Sequence, residues 1–270
     1  MARPRSIHPL QEEGSHLDSI NFLLYGHPGV GKTPLLGTSP RCLIMDSDHG
    51  TESARASGST AHRMSVITYD DLLDVYEYLK NEDHPYQWVW WDSLTLFQDR
   101  TLIDEVMVDA HAANPNQEEF VPSRREYLIN MNRVGRMVRN FVELPINFGI
   151  TAHVLETVDA EDNSKIFMPA IQGKGMPSKV AGYMNVVGFY GAATVEERPV
   201  RRLLTQRFGK FYARDRFGAL GAYMDDPTIP RIEAKIAAKR AADKERAAGN
   251  AAPASPRRRR KPAATPSTES

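Results

Sequence analysis

The clearest chemistry in the chain lies in Gly26-His27-Pro28-Gly29-Val30-Gly31-Lys32-Thr33, which satisfies G-x-x-x-x-G-K-[ST], the spacing of a phosphate-binding loop. The glycines let the backbone curl so that successive N–H groups face one anion, and the start of a following helix adds its positive end. Lys32 is placed to reach the β- and γ-phosphates of ATP, and the Thr33 hydroxyl to hold Mg²⁺. Pro34 comes next, where such loops usually offer an N–H. Its ring is tolerated in a first helical turn, because those N–H groups have no intrahelical partner. The cost falls on the ligand: one of several bonds near the α-phosphate is lost, weakening ATP and ADP alike by about 1 kcal/mol. Pro34 therefore tunes affinity and leaves the γ-phosphate machinery intact.

A bound triphosphate needs a metal and, for hydrolysis, a base. "QWVWWD" is an apolar run ending in Asp92, an acid placed to hold Mg²⁺ from a neighbouring strand tip. Ser93 follows it and cannot polarise a water as a base. "LIMDSDHG" supplies carboxylates at another strand end, Asp46 and Asp48. A solvated or helix-capping acid is the plain alternative at each position.

These side chains need a scaffold. From residue 19 onward strands alternate with helices, as in an α/β protein with a mostly parallel sheet. Strands are expected at Ile20–Gly26, Arg41–Asp46, Met64–Thr68, Tyr86–Ser93 and Ile146–His153. The fourth is apolar on both faces, which suits a central strand covered by helices on both sides. Helices are expected over Tyr69–Asn81, with Asp70 as N-cap, over Leu94–Ala112 and over Arg124–Leu144. "DAEDNSK" reads as a polar turn and "PAIQGKGMPSK" as a Gly/Lys-rich loop. "MNVVGFYGAA" and "VRRLLTQ" read as further strands leading to "FYARDRFGAL".

The 270 residues, 41% hydrophobic and 25% charged, supply one ordinary globular core. The expected layout is a polar lead-in (1–18), one large domain (19–229), and a charged helix at Ile232–Ala248 with a disordered basic tail (within 230–270). Net charge is zero, but residues 231–270 hold eleven basic against four acidic side chains, so they carry +7 and residues 1–230 carry −7. Such a tail meets phosphates or acidic surfaces, or serves as a tether. Cys42 is the single cysteine, which excludes an intramolecular disulfide and a Cys-rich zinc site. No apolar run reaches membrane-spanning length and the first residues lack an apolar leader core, so a soluble, cytoplasmic protein without a membrane partner is expected.

In order along the chain, "YGHPGVGKT", "MDSDHGT", "HPYQWVWWDSLT", "TAH", "PAIQGK" and "ARDRFG" resemble the RecA superfamily. The layout is similar to the small RecA-like ATPases of bacteriophages, including the RecA-like branch of phage single-strand annealing proteins, over roughly residues 20–226. Asp92-Ser93 resembles the RecA branch rather than AAA+ proteins, which usually place a catalytic Glu directly after the Mg²⁺ acid. The resemblance implies a RecA-like P-loop NTPase fold: a central twisted, mostly parallel sheet flanked by helices, with a C-terminal β-hairpin. It implies that Asp48 activates the attacking water, with Asp46 as the fallback. The family uses Glu there, so the shorter Asp needs the water closer.

The same resemblance implies that His153 senses the γ-phosphate from its strand tip. Met168–Lys179 then takes the place of a DNA-binding loop, with Gln172, Lys174 and Lys179 on the phosphate backbone. The plain alternatives are a half-buried histidine and a solvated turn. "ARDRFG" is similar to the K-x-R-F-G stretch of RadA and to the basic pair of DnaB-type helicases. Arg214 and Arg216 would accordingly reach the γ-phosphate held by a neighbouring subunit, unless they form an ion pair with Asp215.

The activity implied is Mg²⁺-dependent ATP hydrolysis, driven by single-stranded DNA, in phage recombination or strand annealing. A single-strand-binding protein is the implied companion, and a homo-oligomer shares the active sites. The short chain suggests rings or short assemblies rather than long filaments. The alternatives are another P-loop accessory ATPase, such as a helicase loader or packaging factor, and a nucleotide-gated DNA-binding module that hydrolyses ATP poorly.

Overall fold

The structure, a computed structural model, describes residues 18–158 and 163–249. The expected basic tail beyond residue 249, the lead-in before residue 18 and the centre of the expected polar turn lie outside them.

Short apolar strands alternate with helices as the patterning predicts: β1 (Asn21–Tyr25), α1 (Lys32–Leu36), β2 (Cys42–Asp46), α2 (Glu52–Ala56), β3 (His62–Ser65), α3 (Tyr69–Asn81) and β4 (Trp88–Asp92). Next come α4 (Leu94–Thr101), a π-helical turn (Leu102–Met107), α5 (Val108–Ala113), α6 (Arg124–Val142) and β5 (Asn147–Ala152). A hairpin, β6 (Val154–Val158) and β7 (Lys165–Pro169), leads to α7 (Met176–Tyr183). The last elements are β8 (Val186–Val195), β9 (Arg198–Leu204), β10 (Arg214–Asp215), β11 (Tyr223–Asp225) and α8 (Ile229–Gly249).

Among the described residues the main sheet has nine strands. Its order β8-β1-β5-β4-β2-β3 is parallel throughout, and β9 and β11 extend it antiparallel beyond β8, with β10 pairing β8. Register decides function here. Asp46 lies opposite Asp92, Trp91 opposite Ile150, and Tyr25 opposite Ala152. The C-terminal ends of β1, β2, β4 and β5 therefore finish on one edge, the place where open parallel sheets bind ligands.

The period of two sends alternate residues of each strand to opposite faces. Leu23, Tyr25, Val89, Trp91 and Ile150 pack with α3, α4, α6 and α7; Phe22, Leu24, Ile44, Trp88 and Trp90 pack with α1 and α8. Cys42 is a buried member of the second cluster.

Several expectations need correction. The N-cap of α3 is Thr68, not Asp70: Thr68 Oγ1 accepts the Asp71 N–H at 3.1 Å, and Asp71 Oδ2 accepts the Thr68 N–H at 2.8 Å, closing a capping box. β3 runs His62–Ser65 rather than Met64–Thr68, and the Ile67 and Thr68 N–H groups go to Asp71 Oδ2 instead of a strand partner. Met168–Lys179 is not one loop, because β7 runs to Pro169 and α7 begins at Met176. The last helix starts at Ile229 rather than Ile232. Its Ile229, Ile232 and Ile236 are buried, and Trp88 Nε1 donates to Glu233 at 2.8 Å, so its first turns belong to the core.

Candidate active site

The phosphate-loop motif connects β1 to α1, as its spacing predicts. Gly26 is required by crowding, since a Cβ there would sit 2.2 Å from the Tyr190 carbonyl oxygen. Gly31 adopts φ +93° as the N-cap of α1, a conformation that favours glycine. Pro34 is the third residue of α1, and the first intrahelical bond is donated by Leu35 N–H to Gly31 O at 3.1 Å. The proline therefore removes no helical bond. The expected helix-end contribution is small, because α1 is five residues long; the loop's own N–H groups must carry anion binding.

Lys32 is 8% exposed, and its Nζ donates to the Gly26 and His27 carbonyls at 3.0 Å each. Burial lowers its pKa, opposed by the charges of Asp92 and Asp48. Asp92 is 2% exposed. Its carboxylate accepts the Thr33 hydroxyl at 2.7 Å on one oxygen and the Thr151 hydroxyl on the other. Burial raises its pKa to about 6, with Asp48 adding to the rise and the two threonine bonds and Lys32 opposing it.

Asp46 and Asp48 separate cleanly in this geometry. Asp46, fully buried, accepts the N–H groups of Asp48 and Gly50, the Thr51 hydroxyl and the Arg63 guanidinium, the last at 2.7 Å. Its lone pairs are committed to holding the loop after β2. Asp48 accepts the Gly50 N–H at 2.8 Å, and its carboxylate lines a cleft of about 580 Å³. Burial raises its pKa, as does Asp46, while Gly50 and His153 act against the rise.

The cleft brings together Lys32, Thr33, Pro34, Asp48, Asp92 and His153. His153 joins β5 to β6; its backbone N–H is donated to Thr95 Oγ1 at 3.0 Å, and burial and Lys32 lower its pKa. Among the described residues no cluster of three His, Cys, Asp or Glu side chains could hold a metal by protein ligands alone. The neighbouring hydroxyl of Thr33 and carboxylate of Asp92 instead suit Mg²⁺, which takes few protein oxygens and completes its shell with phosphate and water. Bound there, the ion would neutralise phosphate charge.

A family model described as an AAA domain matches residues 18–217. The chain belongs to that family. It is thus a P-loop ATPase by class, and nucleotide binding is the chemistry expected of the cleft. No relative was found among curated proteins. No helix among the described residues is long and apolar enough to cross a membrane.

The remaining candidates sit away from the cleft of this AAA domain. Lys174 and Lys179 are exposed, but Lys179 lies on α7 rather than on a loop. The backbone of Gln172 is clasped by the buried Gln98 side chain, which accepts its N–H at 2.8 Å and donates to its O at 3.1 Å; its own amide donates to Asp99. Arg214 donates to the Ala181 and Met184 carbonyls at 2.5 and 3.1 Å, and Arg216 to the Gly182 carbonyl at 2.7 Å, so both close the C-terminal end of α7. β10 pairs with the start of β8, at the opposite end of the sheet from the phosphate loop. Asp215 accepts backbone N–H groups of Phe217, Ala219 and Leu220 and is not their ion-pair partner.

Sequence reasoning missed two residues of the site. Thr151 grips Asp92, and only its place one residue before the strand end hinted at this. Arg201, on β9, lines the cleft beside Gly29, Gly31 and Lys32; no motif singles out one arginine in "RPVRRLL".

Proposed function

We propose that this chain is a Mg²⁺-dependent ATPase whose turnover is driven by single-stranded DNA and serves strand annealing or recombination of the phage type. The observation that carries the reading is the convergence of Lys32, Thr33, Asp48, Asp92 and His153 on one cleft at the strand tips. Lys32 neutralises the β- and γ-phosphates, Thr33 and Asp92 hold Mg²⁺, and Asp48, whose raised pKa makes it a stronger base, takes the proton of the attacking water. His153 registers the γ-phosphate. Its carbonyl accepts the Ala170 N–H at 2.8 Å, which gives it a direct bond to the segment carrying Gln172 and Lys174. The DNA term rests on the resemblance of the motif order to RecA-like phage ATPases.

The short side chain of Asp48 favours a second reading, a nucleotide-gated DNA-binding module with slow hydrolysis. ATP turnover measured without DNA, with single strands and with duplex separates the two. Strong stimulation by single strands, lost in Lys32→Ala, supports the ATPase. No turnover in any condition, with nucleotide still bound, leaves the gated module.

A further inference from the structure

Residues 198–214 carry six cations (Arg198, Arg201, Arg202, Arg207, Lys210, Arg214) and no acid, on a body of opposite sign. Within this segment the turn "QRFGKF" presents Phe208 with 71% of its surface exposed, between Arg207 and Lys210, both also exposed. The ring is not loose chain. Before it, the buried Thr205 donates its N–H to Ala222 O at 3.0 Å and its hydroxyl to Gly221 O at 2.6 Å. After it, the Phe211 ring stacks on Phe167 at 4.8 Å and packs on Phe189 at 4.1 Å. The turn closes through Phe211 N–H to Phe208 O at 3.1 Å, and Phe167 N–H donates to Lys210 O at 2.7 Å. One phenylalanine is anchored inward so that the other is held outward.

We propose that this turn is a contact for single-stranded nucleic acid, with a base stacked on Phe208 and flanking phosphates on Arg207 and Lys210. A π-face between cations matches a strand whose bases are unstacked, whereas a duplex hides those faces. The turn is also tied to the strand that leads into the phosphate loop. Tyr25, the residue before Gly26, directs its hydroxyl to Phe167 O at 3.0 Å and Tyr212 O at 2.8 Å, so β1 and the turn share one bonded unit. The inference rests on the DNA-dependent reading above and relocates its contact from Lys174 and Lys179.

The test is anisotropy of a labelled oligothymidylate titrated with full-length wild type, Phe208→Ala, Phe208→Trp and Lys174→Ala, alongside fluorescent ATP binding and oligomeric state. Phe208→Ala should weaken DNA binding about tenfold, Phe208→Trp should preserve it with quenching of the new indole, and ATP affinity should not move. Equal DNA affinity of wild type and Phe208→Ala overturns the site alone. A change of oligomeric state with DNA affinity kept reassigns the ring to self-association. Absence of DNA binding by wild type overturns both the site and the DNA-dependent reading.

A second inference concerns Arg201 and follows from a different observation. Pro34 has no N–H for the α-phosphate, yet the Arg201 guanidinium hangs over the same loop, its Nε 3.9 Å from where a Gly31 Cβ would lie. The backbone of Arg201 is pinned by reciprocal bonds with Asp226, at 2.9 and 2.7 Å, so its side chain is free of the task of holding β9. We infer that Arg201 supplies in cis the α-phosphate donor that Pro34 removes. The two residues should then be coupled. Arg201→Ala should weaken ADP binding about tenfold in the native background and about twofold beside Pro34→Thr or Pro34→Ala, each of which restores an N–H. Equal losses in all three backgrounds overturn the compensation, while loss of ADP binding in Lys32→Ala independently checks the nucleotide reading beneath it.

Discussion

Thr33 Oγ1 donates to Asp92 Oδ2 across 2.7 Å, so the hydroxyl of the phosphate loop and the acid of β4 meet directly. A carboxylate this buried favours its protonated form: its pKa rises from 3.8 to about 6. Because the folded pKa is the higher one, this contribution to stability is complete below about pH 4 and is lost as pH climbs through about 6. Asp92→Asn should therefore stabilise the nucleotide-free protein by up to about 3 kcal/mol at pH 8, with the difference vanishing near pH 4. Paired urea melts across pH check this. A difference independent of pH contradicts the account.

Among the described residues Lys32 bonds only to the Gly26 and His27 carbonyls of its own loop, so Lys32→Ala should leave a cooperatively folded protein. It should lose about 3 kcal/mol of ATP binding, from two charge-assisted bonds to phosphate. Calorimetric titration with ATP and a thermal melt without it separate the two effects. Loss of the folded state would mean that Lys32 is structural.

Asp46 and Asp48 should differ in kind. With four donors on a buried carboxylate, Asp46→Ala should cost about 3 kcal/mol of stability, and activity would fall with it. Asp48→Asn keeps an oxygen for the Gly50 N–H and should shift stability by no more than about 0.5 kcal/mol. Equal destabilisation by the two would erase the distinction between anchor and base.

Arg214 and Arg216 cap α7 within their own chain, and we propose that they serve a neighbour's γ-phosphate only in an assembly. Mixing inactive Arg216→Ala with inactive Lys32→Ala protein should then recover part of the ATPase rate, through interfaces that unite an intact loop with an intact arginine. No recovery at any ratio would leave the capping role as the only one.

The strand tips are legible in the sequence because a parallel strand covered on both faces is a continuous apolar run, and the polar residue that ends it marks the ligand edge. Asp46, Asp92 and His153 are found that way, and the loop motif by its glycine spacing. The hairpin β6–β7 is not legible, since "VLETV" and "KIFMP" lie half-exposed on a small side sheet and carry no sustained apolar run. α7 hides behind Gly173-Lys174-Gly175, which composition reads as loop, although Gly175 at φ +81° is its N-cap. Arg201 is invisible because β9 reaches the loop only by folding back on β8, which lies beside β1 from far along the chain, a tertiary fact that no local pattern encodes.

The most direct test of the candidate site is Asp48→Asn, with Mg·ATP affinity and single-turnover hydrolysis measured on the same preparation in the presence of single-stranded DNA. The site described here predicts affinity within about threefold of wild type and hydrolysis reduced by at least about a hundredfold, the usual weight of a positioned base. Undiminished hydrolysis, or binding lost together with it, would contradict the role given to Asp48.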